Sequence, residues 1–93
     1  MTAKLVTKSV TGENQFSDGV SMVGYFNFSI SGIWAGTVTL QRSFDGGSTW
    51  LDVDTRIANI EEFGIEPERG IQYRAGIKTG AYSSGTAVIR LSQ

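Results

Sequence analysis

Polar and apolar residues alternate along most of this chain. The clearest run covers residues 23–31, where Phe26, Phe28 and Ile30 share one face and Tyr25, Asn27, Ser29 and Ser31 the other. That two-residue period is the mark of a half-buried strand, and the Phe-Phe-Ile face is expected at the centre of the core. Residues 37–43 repeat the pattern, with Thr37, Thr39, Gln41 and Ser43 opposite Val38 and Leu40. A second arm, residues 49–55, sets Trp50, Asp52 and Asp54 against Leu51, Val53 and Thr55. Between the arms, Asp45-Gly46-Gly47 supplies residues that tolerate positive φ, so the two arms read as a hairpin.

Further strands are predicted over residues 4–10, over 16–22 with a break at Asp18-Gly19, over 71–78 with Ile71, Tyr73, Ala75 and Ile77 inward, and over 86–91 with Ala87, Ile89 and Leu91 inward. Residues 56–70 are less regular and read as a short strand and loop, or a helical turn near Ile60, with a turn forced by Pro67 and Gly70. Seven or eight short strands at spacings of about 8 to 12 residues predict an all-β fold. The expected architecture is a single antiparallel β-sandwich, jelly-roll or immunoglobulin-like, forming one domain over residues 1–93. Residues 4–10 and 86–91 are the expected sheet edges, open to strand pairing with a neighbour.

Composition narrows the chemistry. The chain has 93 residues, no cysteine and no histidine. No thiolate is present to attack a substrate, and the commonest general base and metal ligand is missing. A domain of this size buries only about 60 to 65% of the surface its unfolded chain exposes. Burial gained from neighbours is therefore expected, as in a homo-oligomer or an assembly subunit. Net charge is −1, with eight scattered basic residues, which predicts no nucleic-acid partner. No apolar stretch reaches the roughly 20 residues of a membrane helix, and the amino-terminal sequence lacks a secretory signal. Synthesis in the cytoplasm and no membrane partner are expected.

Carboxylates are the remaining candidates for catalysis, because glycoside hydrolysis needs only two. Asp52 and Asp54 are expected on one exposed strand face, with Glu61, Glu62, Glu66 and Glu68 in a solvated loop. A solvated carboxylate has no apolar setting to raise its pKa for acid catalysis. Calcium held by Asp52, Asp54 and loop carbonyls would follow no dedicated loop spacing. No cofactor, no metal site and no catalytic residue are expected, and an enzyme is the last of the readings. Tyr25, Trp34 and Tyr82 form the candidate contact surface, because Trp and Tyr anchor interfaces and stack on sugar rings.

Ser43-Phe44-Asp45-Gly46-Gly47-Ser48-Thr49-Trp50 resembles the Asp-box of sialidases and other β-propeller glycosidases. In that family the box lies at a hairpin tip, away from the catalytic centre. A structural role is therefore implied for Ser43, Asp45, Gly47, Thr49 and Trp50, with the Asp45 carboxylate accepting bonds from turn amides and the Trp50 ring capping the hairpin.

Four stretches carry a broader resemblance. They are Lys4-Leu5-Val6 with Thr11-Gly12-Glu13-Asn14, the run from Phe26 to Gly32, the run from Gly36 to Trp50, and Tyr73-Arg74 with the segment from Gly85 to Gln93. Together they resemble small β-sandwich virion proteins of tailed bacteriophages. The resemblance implies a non-enzymatic structural protein, a capsid decoration subunit or a neck or tail accessory. Its partners would be other virion proteins, and its location the virion. The alternative is a carbohydrate-binding module of a tail adhesin, with Tyr25, Trp34 or Tyr82 as stacking platforms.

Overall fold

The computed structural model describes Lys4–Gln93. Seven strands occur in the order β1 (Leu5–Val10), β2 (Gln15–Phe16), β3 (Val20–Gly36), β4 (Val38–Ser43), β5 (Leu51–Arg56), β6 (Ile60–Ile77) and β7 (Tyr82–Ser92). All pairings are antiparallel and belong to one sheet, ordered β1-β7-β3-β6-β4-β5, with β2 beside β6. Among the described residues there is no helix.

Two features correct the expectation of short strands. β3 spans 17 residues and β6 spans 18, and each serves two parts of the sheet. The first part of β6, from Ile60 to Glu66, pairs only with β3, while Gln72–Gly76 pairs with β4. Residues 86–91 also lie inside the sheet, in β7 between β1 and β3, and the strand order ends at β1 and β5.

The long strands are bent where their ladder breaks. Gly24 pairs with Glu66 and Met22 with Ile71, which leaves Val23 opposite residues 67–70. Pro67 has no N–H to offer there. The unpaired groups around Val23 are met by Gln93, whose Nε2 donates to the Val23 carbonyl at 2.5 Å and the Tyr25 carbonyl at 2.9 Å. The excursion in β6 thus replaces the expected turn at Pro67 and Gly70.

Phe26, Phe28, Ile30, Ile71, Tyr73, Ala75, Ile77, Ala87, Ile89 and Leu91 are all buried in one cluster with Val10, Met22, Val38 and Leu40. These side chains come from five strands. All five belong to the one sheet, and no other layer is present among the described residues. β4 departs from the half-buried pattern: Thr39, Gln41 and Ser43 are buried as well as Val38 and Leu40. Gln41 is bonded to Asp52 of β5 and Arg74 of β6, and Ser43 to Asp45 and Gly47 of the hairpin.

Candidate functional site

The hairpin between β4 and β5 is held by side chains. Ser43 Oγ donates to Asp45 Oδ1 at 2.8 Å and accepts the Gly47 N–H at 2.9 Å. The Thr49 N–H donates to the same Asp45 oxygen at 2.8 Å. These bonds, the one from Thr49 first, hold the Asp45 carboxyl below its ordinary pKa. Gly47 has φ +97°, and a Cβ there would meet the Trp50 ring at 3.5 Å and Gln72 Oε1 at 3.3 Å. The Trp50 ring therefore lies against Gly47 and reaches Gly19.

Beyond Trp50 the outer face of β4, β5 and β6 carries a chain of fixed polar groups. Gln41 and Arg74 are directly paired across β4 and β6, and Arg74 Nε donates to Gln41 Oε1 at 2.8 Å. Gln41 Nε2 donates to Asp52 Oδ1 at 2.9 Å, and Lys78 Nζ pairs with the other Asp52 oxygen. Lys78 first and Gln41 second lower the Asp52 pKa. The Arg74 guanidinium lies between the Phe16 ring, 4.2 Å from its centroid, and the Trp50 ring, 4.5 Å away. Burial pulls the Arg74 pKa down, though an arginine remains charged at neutral pH.

Asp54 does not share this face. The β4–β5 register slips so that Leu40 pairs with Asp54 and Gln41 with Asp52, leaving Val53 as an extra residue. A bulge of this kind reverses which side each following residue takes. Asp54 pairs with Arg56 at 2.7 Å, and Arg56 also binds Glu62 at 2.6 Å. Arg56 lowers the pKa of both carboxylates. The three groups rim a cleft of about 170 Å³, lined by Phe28, Leu40, Val53, Phe63 and Tyr73, where β5 and the start of β6 diverge.

Glu66 is the second correction among the acids. It is 0% exposed, in a strand and not in a solvated loop. Its Oε1 accepts the Tyr73 hydroxyl at 2.7 Å and pairs with Arg42; its Oε2 accepts the Glu68 N–H at 3.0 Å. Burial raises its pKa, but the bonds from Tyr73 and Glu68 and the charge of Arg42 outweigh that and leave it lowered. Burial and the Glu66 carboxylate push Tyr73 up to about 12.

The three expected contact aromatics do not converge. Tyr25 is 68% exposed and meets Phe63 edge-on at 6.0 Å. Trp34 lies nine residues further along the same strand, about 30 Å away at the usual strand rise. Its indole N–H donates to Asn59 Oδ1 at 2.7 Å, and the Tyr82 hydroxyl donates to the Gly85 carbonyl at 2.9 Å. Trp34 and Tyr82 pack against the core cluster. Tyr25 instead joins Phe63 and Ile65 on the outer face of β3 and β6, Ile65 being its direct cross-strand partner. Phe63 is 73% exposed, and Ile65 is exposed too.

Phe63, Ile65, Arg74 and Phe16 were not singled out in the sequence. The alternation of Gln72, Arg74, Gly76 and Lys78 opposite the inward residues of β6 is a signal for Arg74; Phe63 and Ile65 carry none, because the strand starts at Ile60 with its alternation inverted. Among the described residues no group of three or more carboxylates is placed to hold a metal ion. Comparison with protein-family models, with curated proteins and with solved structures gives no match.

Proposed function

We propose that this chain is a non-enzymatic structural protein of a tailed-phage virion, a capsid decoration subunit or a neck or tail accessory that works by protein–protein contact. In this reading the sheet is a compact β-sandwich, made in the cytoplasm and carried in the virion. The observation that supports it most is the apolar patch of Tyr25, Phe63 and Ile65 on the outer face of β3 and β6. Adjacent large apolar side chains left in water on a domain with a small core are characteristic of a surface covered by a neighbour. The edge strands β1 and β5 offer backbone groups for the same purpose. The sequence resemblance to small virion proteins supplies the biological setting.

Light scattering on the purified chain over a wide concentration range tests the reading. The expected mass is a multiple of the single chain, and Phe63→Glu should return it to one chain without lowering its melting temperature. A wild-type chain that stays single at the highest concentration would remove self-association. The genes beside its own test the setting: capsid or tail genes support it, and metabolic genes would overturn it. A carbohydrate-binding module is the alternative, but only Tyr25 of the three candidate platforms presents a free ring.

A further inference from the structure

Arginine side chains on a surface are normally mobile, and fixing one costs conformational entropy. Arg74 is already fixed. Two rings sandwich its guanidinium, at 4.2 Å and 4.5 Å. Its roll about the stack is set by the bond from Nε to Gln41, which is itself held by Asp52, and Asp52 by Lys78. Every member of that relay is committed to the next. Nε is the one Arg74 nitrogen used.

The two terminal nitrogens make no hydrogen bond to the described residues and are not sealed from solvent. They form an end-on fork whose spacing matches the two oxygens of a carboxylate. No acidic side chain among the described residues pairs with Arg74. Asp52, the acid linked to Arg74 through Gln41, is itself paired with Lys78, so Arg74 has no ion-pair partner of its own among the described residues. The stack is half-buried on the strand surface and does not line the cleft described above. A small anion would stay hydrated there. An acidic group carried on a protein surface would bring its own cover, and the flanks of Phe16 and Trp50 would exclude water around the pair. A central arginine ringed by aromatics is a common anchor of protein interfaces.

We infer that Arg74, clamped between Phe16 and Trp50, is a preformed receptor for an aspartate or glutamate carboxylate on a neighbouring protein. The inference rests on the reading of this chain as an interaction subunit, and names a second contact face remote in kind from the apolar patch.

The test is an NMR titration of the intact chain with a capped oligoglutamate peptide. Capped oligoglutamine, inorganic phosphate and sodium chloride at matched ionic strength serve as comparisons. The expected result is a saturable shift of the Arg74 Nε–H and Trp50 indole signals with oligoglutamate alone. The Trp34 indole, tied to Asn59, should not move. Arg74→Lys keeps the charge but loses the fork, and should weaken the peptide by about tenfold or more. Phe16→Leu removes one plate and should weaken it less. Equal shifts with chloride or phosphate, no response in the wild-type chain, or full binding by the lysine variant would each overturn the inference. A single-chain protein that binds the peptide would sink self-association and leave the receptor standing. An assembled protein whose Arg74 ignores the peptide would do the reverse.

Discussion

The Tyr73 hydroxyl donates to Glu66 Oε1 at 2.7 Å across the excursion that bends β6. The bond joins two parts of one strand that no longer share a continuous ladder. Glu66 also accepts the Glu68 N–H, released by the same excursion, and pairs with Arg42 from β4. One buried carboxylate therefore fixes the bend, and with it the angle between the half of β6 that faces β4 and the half that carries Phe63 and Ile65.

Stability should consequently fall in acid. The folded-state pKa of Glu66 lies below its ordinary 4.5, so its contribution is complete above that value. It is lost as pH drops through the lowered folded value. Glu66→Gln keeps the shape and removes the charge; it should cost about 1 to 3 kcal/mol at neutral pH and flatten the acid limb. Urea melts of both proteins at pH 7 and near pH 4 check this. An acid limb of equal steepness in the variant would show that exposed carboxylates carry it.

The hairpin gives a sharper contrast between neighbours. Gly46 and Gly47 both have positive φ, but a Cβ at Gly46 meets nothing within 4 Å, whereas at Gly47 it meets Trp50 and Gln72. Gly47→Ala should therefore destabilise by more than the roughly 1 kcal/mol of a left-handed alanine, and Gly46→Ala by about that amount. Ser43→Ala removes a donor to Asp45 and the acceptor of the Gly47 N–H, a loss of about 1 to 3 kcal/mol. Thermal melts of the three variants, with Trp50 fluorescence, rank them.

Core packing supplies the next prediction and its control. Ile89 is fully buried in β7, while Ile33 is 92% exposed on β3. Ile89→Ala should cost about 2 to 5 kcal/mol, and Ile33→Ala about 0.5 kcal/mol or less. Chemical denaturation separates them, and a comparable loss at Ile33 would mean that this side chain is covered in solution.

The parts of the fold legible in the sequence are those where alternation points the ordinary way. Phe26, Phe28 and Ile30, the odd-numbered run from Ile71 to Ile77, and Ala87, Ile89 and Leu91 all face the core as their spacing predicts. The start of β6 was hidden because its alternation is inverted. Ile60 shares the core face with Glu62, Gly64 and Glu66, while Phe63 and Ile65 face outward. Gly64 is on the inner face because the Phe26 ring lies over it, 3.1 Å from where a Cβ would be. A one-residue bulge at Val53 likewise undid the expected pairing of Asp52 with Asp54 on one face. Neither a bulge nor an acid buried on its partners leaves a periodic trace. The bonds of the β4–β5 hairpin are local, joining Ser43, Asp45, Gly47 and Thr49. The Arg74 stack is not local, because Phe16, Trp50 and Arg74 meet only through the sheet.

That stack depends on a glycine at its base. Phe16 pairs with Gly76 across β2 and β6, and a Cβ at Gly76 would sit 2.0 Å from the Gln15 carbonyl oxygen and 2.7 Å from Phe16 Cδ1. Backbone cannot yield as a flexible side chain does, so Gly76→Ala should lift β2 from the sheet edge and take the Phe16 plate off Arg74. The Ser17 bonds to Ala75, from its N–H at 2.8 Å and to its Oγ at 3.1 Å, should keep residues after Phe16 in place and confine the change. Hydrogen exchange should show faster exchange of the Gln15 and Phe16 amides with β7 amides unchanged, and the Trp50 indole signal should shift while that of Trp34 stays. Wild-type exchange at Gln15 and Phe16 in the variant would mean that β6 moves instead, and that the stack survives without the close approach at Gly76.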